Sequence, residues 1–219
     1  MAFRATLIAA YGKDNVEVDS ADETGNLRSR FNVDFDAWSR ETRAALEQRT
    51  SWPQVVTGHF WLGKYEPYRS SAYTIVWLRE PAARLISAYF YLRGQPAIRG
   101  AHASAFARGA TPIEEFMEMD WPCNPITGRL LRGYGLDDLD FVGIQEHFAE
   151  DLAELGRTLG WPSVEVVVRN RTRTDDYGDF RPSQALLRKI RALNEADLEL
   201  YERALERRRT RRRSGAGVA

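Results

Sequence analysis

The segment of residues 74–93, TIVWLREPAARLISAYFYLR, constrains the fold of this chain more than any other. Residues 74–78 are a short run rich in β-branched and aromatic residues, which is typical of a strand covered on both faces. Pro81 suits the first turn of a helix, where its missing N–H would have no partner. We expect that helix to continue to about Arg93, where Gly94 is placed to end it. The pattern therefore predicts a buried strand, a sharp turn and a helix.

Polar side chains follow the predicted strand in positions that suit an anion. Arg79 stands where the strand should end, and Ser87 lies two turns into the helix. Arg84 and Tyr91 are at the i−3 and i+4 positions from Ser87, so the three side chains share one helix face. An arginine at the carboxyl end of a strand, followed by a helix with a hydroxyl, indicates an anion site in an α/β sheet.

The residues from Arg79 to Tyr89, REPAARLISAY, resemble the RDPxxRxxSxY segment of sulfotransferases. In that family the segment binds the 3′-phosphate of the sulfuryl donor 3′-phosphoadenosine 5′-phosphosulfate (PAPS), which leaves as PAP. The resemblance implies that Arg79 and Ser87 bind this phosphate. One departure is visible, because Glu80 stands where aspartate is more usual.

Length and composition are those of an ordinary soluble domain. The chain has 219 residues, of which 43% are hydrophobic and 28% charged, and its formal net charge is zero. These values predict one sizeable α/β domain without an overall field that would attract nucleic acid or a membrane. Only three of the 31 basic residues are lysine. Arginine suits phosphate and sulfate, but coding bias in a GC-rich genome is the simpler explanation for most of these residues.

The single cysteine and the hydropathy of the sequence indicate the cellular compartment in which the protein is expected. Cys123 has no second cysteine in the chain, so no intrachain disulfide can form, which fits a reducing compartment. No apolar run is long enough to span a membrane, and the first residues do not resemble a signal peptide. The simplest interpretation is a cytoplasmic, bacterial enzyme with no membrane partner. No motif supports a metal or dinucleotide site.

The beginning of the sequence departs from the sulfotransferase pattern. Residues 3–11 predict a helix that Gly12 ends, and residues 13–33 predict a polar loop. The family normally opens with a strand and a loop resembling KTGGTS, whose backbone N–H groups hold the 5′-phosphosulfate. This strand and loop are missing ahead of the first helix. We expect a start codon assigned too late, and a natural or engineered truncation is the alternative.

A second candidate site follows a predicted strand, the run QVVT before Gly58. An imidazole, with a pKa of about 6.5, suits proton removal from an attacking hydroxyl at neutral pH. Gly58 and His59 resemble the GHxxY/F stretch of carbohydrate 2-O-sulfotransferases, in which this histidine is the proposed base. The resemblance implies that His59 is the catalytic base, and a histidine that only hydrogen-bonds a loop is the alternative. His102 and His147 have no motif around them and are interpreted as structural.

Three further residues are weaker candidates for the acceptor site. Trp61 and Tyr65 follow His59 closely and suit stacking on a sugar, or ordinary packing under a loop. Residues 124–131, NPITGRLL, are similar to the NxQTRxL segment of the family. This similarity implies that Arg129 contacts donor or acceptor, and a surface ion pair is the alternative.

The second half of the chain predicts packing elements. Residues 141–155 predict a strand and an amphipathic helix, and residues 182–207 predict two helices. In the last of these, Asp197 and Tyr201 match a D-x-x-L-Y pattern of sulfotransferases. The basic run RRRTRRR predicts a disordered tail over residues 207–219, and contact of this run with a polyanion is the alternative.

Together these features predict one α/β domain over residues 1–206, with a three-layer P-loop-like fold and a central, mostly parallel sheet flanked by helices. The predicted activity is transfer of a sulfuryl group from PAPS to an acceptor hydroxyl. Carbohydrate is the commonest acceptor of the Gly-His group, and no nucleic-acid partner is expected. The alternative is a truncated, non-catalytic module that binds PAP.

Overall fold

A computed structural model describes residues 2–20, 46–93, 111–119, 122–161 and 179–216. Its helices and strands are α1 (Ala2–Tyr11), β1 (Val16–Ser20), β2 (Val55–His59), β3 (Ile75–Leu78), α2 (Pro81–Arg93), α3 (Ile113–Phe116), β4 (Phe141–Ile144), α4 (Phe148–Thr158), α5 (Gln184–Leu193) and α6 (Glu195–Ala216). Short 3-10 helices cover Lys13–Asn15, Leu62–Ser71, Leu136–Asp138 and Gln145–His147, and a π-helix covers Ile126–Leu130. The described part is therefore mixed α/β, as predicted. Gly94 and His102 lie outside the described residues.

The strands described here form two parallel pairs, β1 with β2 and β3 with β4. Ser20 lies opposite His59 at the end of the first pair, and Leu78 lies opposite Ile144 at the end of the second. Parallel strands need a long crossover, and α2 and α3 lie within the crossover from β3 to β4. Parallel pairing brings the carboxyl ends of both strands to one edge, so residues that follow paired strands become neighbours.

Helix α1 contacts both strand pairs. It packs against β1 and β2, and the ring of Phe3 lies 5.4 Å from that of Trp77 in β3. The helix ends at Gly12, whose φ of 84° lies in the left-handed region that glycine adopts at little cost. The Gly12 N–H donates to the carbonyl of Ile8 at 2.9 Å. This geometry confirms the predicted first helix and its end.

The core of the described residues has two parts. Helices α2, α3 and α5 share the first part, formed by Ala82, Leu85, Ile86, Tyr89, Leu92, Ile113, Phe116, Met117 and Ile190. Strands β3 and β4 and helix α6 share most of the second part, formed by Leu62, Leu78, Leu131, Leu136, Leu139, Val142, Ile144, Leu200, Tyr201 and Ala204. The amphipathic helix predicted within residues 141–155 is confirmed as α4, in which Leu152 and Leu155 are fully buried and Phe148 is half-buried.

Two predictions about irregular segments are wrong. The polar loop predicted for residues 13–33 includes β1, which forms because its backbone pairs in parallel with β2. The tail predicted to be disordered from residue 207 is helical as far as Ala216. The helix continues because carboxylates on α4 compensate its charge, as where Arg208 contacts Asp151 at 2.6 Å.

Candidate functional site

Arg79 directly follows β3, at the carboxyl end of the β3–β4 pair, as predicted. Its side chain is half-buried. Among the described residues, its guanidinium makes no hydrogen bond and no ion pair. Because a partly desolvated charge attracts an opposite charge more strongly than one in open water, this arginine is well suited to hold an anion. Ser87 lies further along on α2 and is also half-buried.

Glu80 closes the amino end of α2. Its Oε2 accepts the N–H of Ala83 at 2.7 Å, so the side chain serves as the helix N-cap. Its Oε1 accepts from the Nε of Arg191 on α5 at 2.9 Å. The backbone N–H of Glu80 donates to Glu146 at 3.0 Å, so this carboxylate has a structural contact at the helix end. Since Glu80 already binds the Ala83 N–H, that group is not available to a phosphate.

Arg84 lies in the first turn of α2 and is half-buried. Its Nη2 donates to the carbonyl of Pro122 at 2.8 Å and to Oδ1 of Asn194 at 3.1 Å. Its Nε is buried and has no hydrogen-bond partner in the described part of the chain. Burial lowers the pKa of Arg84, the charge of Asp197 opposes this effect, and the charge of Arg79 adds to it. The two guanidinium groups are therefore close enough to repel each other, which favours an anion nearby.

A buried network fixes the segment that carries Arg129. Asn194, which is fully buried, accepts the N–H of Asn124 at 2.9 Å. Asp197 is 3% exposed and accepts both the N–H and the hydroxyl of Thr127 at 2.8 Å. Asn124 adopts a left-handed φ of 44°, and its Oδ1 accepts the Asp197 N–H at 2.9 Å. Asp197 thus caps the π-helix in which Arg129 lies half-buried.

His59 is the last residue of β2 and is exposed at the carboxyl end of the β1–β2 pair. The preceding residue has to be glycine, because a Cβ at Gly58 would lie 1.7 Å from the carbonyl oxygen of Asp19. This close approach holds the backbone before His59 against β1. The predicted base therefore occupies a strand end, in the place where α/β proteins bind ligands.

A polar cluster anchors the segment that follows His59. The carboxylate of Asp19 accepts from Nζ of Lys64 at 2.6 Å and from the hydroxyl of Tyr65 at 2.7 Å. The side chains of Lys64 and Asp19 are 8% and 12% exposed, so this ion pair is largely removed from water. Burial raises the pKa of Tyr65, and its hydrogen bond to Asp19 raises it further. The cluster joins the 3-10 helix Leu62–Ser71 to β1.

The two aromatic candidates have packing partners. Trp61 donates from Nε1 to the carbonyl of Arg132 at 2.9 Å, and a Cβ at Gly63 would lie 2.2 Å from its ring. The ring of Tyr65 meets that of Phe60 edge-on at 4.8 Å. These contacts favour the packing interpretation for both side chains, and stacking of Trp61 on a sugar stays a prediction.

The predicted site residues fall into separate groups. Arg79 and Ser87 follow β3, whereas His59 and Trp61 follow β2, and these strands belong to different pairs in the part described. Arg129 lies on the π-helix, away from either strand end in sequence.

Sequence reasoning missed three polar residues that shape these groups, namely Asp19, Asn194 and Arg191. Asn194 carried a usable signal, since asparagine between two helical patterns is typical of a helix end. The contacts of Asp19 with Lys64 and Tyr65 span 45 and 46 residues, and no local pattern predicts a pairing at that separation.

Metal and membrane features are not found in the described ranges. Those residues contain no group of three or more His, Cys, Asp or Glu side chains that could hold a metal ion. None of their helices is both long enough and apolar enough to cross a lipid bilayer. Searches of protein-family models, curated proteins and solved structures found no match to this chain.

Proposed function

We propose that this chain binds PAPS and transfers its sulfuryl group to an acceptor hydroxyl. One observation carries the proposal. Arg79 is half-buried at the carboxyl end of a parallel strand, without a hydrogen bond or ion pair to any described residue, and the helix that follows carries Ser87. An arginine and a hydroxyl in this arrangement suit a phosphate, and their order resembles the segment with which sulfotransferases hold the donor 3′-phosphate.

The proposal includes a three-layer, P-loop-like fold. Two features support a single layered sheet: both described strand pairs are parallel, and α1 contacts β1 and β2 as well as Trp77 of β3. Parallel sheets are normally covered by helices on both faces. In such a sheet the strand ends before His59 and Arg79 would share one edge.

In the proposed reaction, Arg79 and Ser87 hold the donor by its 3′-phosphate through charge-assisted hydrogen bonds. His59 takes the proton of the acceptor hydroxyl while that oxygen attacks sulfur. The bond between sulfur and the donor's bridging oxygen breaks, and PAP leaves with the electron pair. Positioning and charge stabilisation supply most of the rate, as in phosphoryl transfer. We propose a carbohydrate hydroxyl as the acceptor, with Trp61 and Arg129 as candidate contacts.

Binding of PAP to the full chain tests the donor site by isothermal titration calorimetry. We expect Arg79→Ala to weaken binding by roughly 10- to 100-fold and Ser87→Ala by about 5-fold, the sizes typical of hydrogen bonds to a charged group and to a hydroxyl. Arg209→Ala is the matched control, because Arg209 is 62% exposed and pairs with Glu206 on its own helix. A wild-type chain that does not bind PAP would refute the proposal.

Release of PAP from PAPS in the presence of carbohydrate acceptors tests the catalytic step. We expect His59→Ala to reduce the rate by roughly 100-fold or more, the size of general-base catalysis, with little change in PAP affinity. If the variant keeps the wild-type rate, His59 is not the base. PAP binding without turnover by the wild type would support the non-catalytic alternative.

A further inference from the structure

We infer that Arg191 on α5 is a positioning residue of the phosphate site, where it neutralises the Glu80 carboxylate next to Arg79. The inference rests on the proposed function and extends it to a helix more than 100 residues further along the chain. Arg191 would act on the phosphate through Glu80.

Two carboxylates lie at the amino end of α2, beside the arginine proposed to bind phosphate. Glu80 follows Arg79 directly, and Glu146 accepts the Glu80 N–H at 3.0 Å. Both lie near the phenol of Tyr201. Burial, together with the negative charges of Glu146 and Glu80, raises the pKa of this phenol to about 12. A phosphate dianion placed here would be repelled unless cations offset these charges.

Arg191 is held where it can offset the charge of Glu80. Its Nε donates to Oε1 of Glu80 at 2.9 Å, while Oε2 accepts the N–H of Ala83 at 2.7 Å. One carboxylate oxygen therefore caps α2 and the other pairs with α5. The neighbouring Ile190 is fully buried in the core that α5 shares with α2, and this packing fixes the position of Arg191.

The charges beside Arg79 show why this pair matters. Arg191 is the cation that contacts the Glu80 carboxylate, while the charge of Arg84 is opposed by Asp197. Removing the guanidinium of Arg191 leaves the Glu80 carboxylate next to Arg79 without this ion-pair partner. The pair is only partly screened by water, because the side chains of Arg191 and Glu80 are 41% and 20% exposed.

The test compares PAP binding by isothermal titration calorimetry among full-length single and double variants. We expect Arg191→Ala to weaken PAP binding about 5-fold and Arg191→Lys to leave it nearly unchanged, since one partly screened charge is lost only in the first. Arg188→Ala is the matched control, because Arg188 is exposed on the same helix and has no ion pair with any described residue. Thermal melts establish that each variant is folded.

The decisive variant is Glu80→Gln combined with Arg191→Ala. The glutamine amide oxygen can still accept the Ala83 N–H, but the negative charge is gone, so we expect PAP affinity to return to within about 2-fold of wild type. Failure of this rescue would overturn the neutralising role. Unchanged PAP binding by Arg191→Ala would also overturn it.

Binding of adenosine 5′-phosphate, which lacks the 3′-phosphate, locates the effect. We expect its affinity to be the same in Arg191→Ala and wild type, and an equal loss for both nucleotides would overturn the inference. If Arg79→Ala abolishes PAP binding while Arg191→Ala does not change it, the proposed function stands and this inference fails. If the wild type does not bind PAP, both fail.

Discussion

Arg79 differs from the arginines of residues 207–213 in what its guanidinium contacts. Arg79 has no hydrogen bond or ion pair with the described residues. By contrast, Arg208 contacts Asp151 at 2.6 Å, and Arg211 contacts Glu154 at 2.5 Å and lies 4.4 Å from the ring centre of Phe141. A dense basic run can therefore consist of structural residues, whereas an arginine without such contacts at a strand end is the better candidate for an anion site.

We expect the largest loss of stability when the buried carboxylate that pairs with Arg208 is removed. Asp151 is fully buried and accepts from Arg208 and from the N–H of Ile144 at 2.9 Å. We expect Asp151→Ala to lower the free energy of unfolding by about 3–5 kcal/mol, because it removes the buried partner of the Arg208 Nε and the acceptor of the Ile144 N–H. Urea denaturation measures this change.

Glu150→Ala is the matched control for Asp151→Ala. Glu150 pairs with the same Arg208 at 2.6 Å, but its side chain is 56% exposed. We expect a much smaller loss than for Asp151→Ala, because water screens an exposed ion pair. Equal losses for the two variants would contradict the view that burial of the ion pair docks α6.

A smaller effect is expected at the other end of α6. Asp197→Ala removes the acceptor for the N–H and hydroxyl of Thr127, both at 2.8 Å. We expect the free energy of unfolding to fall by about 2 kcal/mol, the cost of buried donors without partners. Glu199→Ala, an exposed change on the same helix, should have almost no effect in the same urea experiment. If the two variants are equally stable, the network does not hold the segment of Arg129.

An exposed arginine of the basic run should matter little. Arg209 pairs with Glu206 three residues earlier, and the two side chains are 62% and 64% exposed. We expect Arg209→Ala to change the free energy of unfolding by less than about 0.5 kcal/mol. A larger loss in urea would show that the outer face of α6 also contributes to docking.

The smallest effect on stability is expected for Arg79→Ala. Its guanidinium has no described partner and lies near the positive charge of Arg84. We expect the free energy of unfolding to stay within about 0.5 kcal/mol of wild type, as for most substitutions without lost contacts. A loss comparable to that of Asp151→Ala would mean that Arg79 is structural, and the contrast between the two sets of arginines would disappear.

The helices and strands that were predicted correctly are those whose ends are set by residues close together in the sequence. The segment around Arg79 combines an apolar run, Pro81 and helical periodicity, and each of these acts over a few residues. The strand and helix therefore appear as β3 and α2, with α2 bounded by Pro81 and Arg93. The first helix and Gly12 belong to the same class.

The errors lie where distant partners decide the structure. Strand β1 is short and polar, and it depends on pairing with β2, which lies beyond residue 50. The arginines from residue 207 onward repel one another in isolation, and the helix is stable because Glu150, Asp151 and Glu154 on α4 face them. The same limit applies to the site, since the ion pair of Glu80 with Arg191 spans 111 residues.

Gly58 has a consequence for how this sequence can evolve. A side chain at Gly58 would collide with the carbonyl of Asp19, so a substitution there would separate β1 from β2. Random variation of the two positions should therefore give different outcomes: variants at the exposed His59 keep the fold, whereas variants at Gly58 disrupt the pairing of β1 with β2. The side chain at this strand end can therefore vary, while the glycine before it cannot be replaced without moving β1.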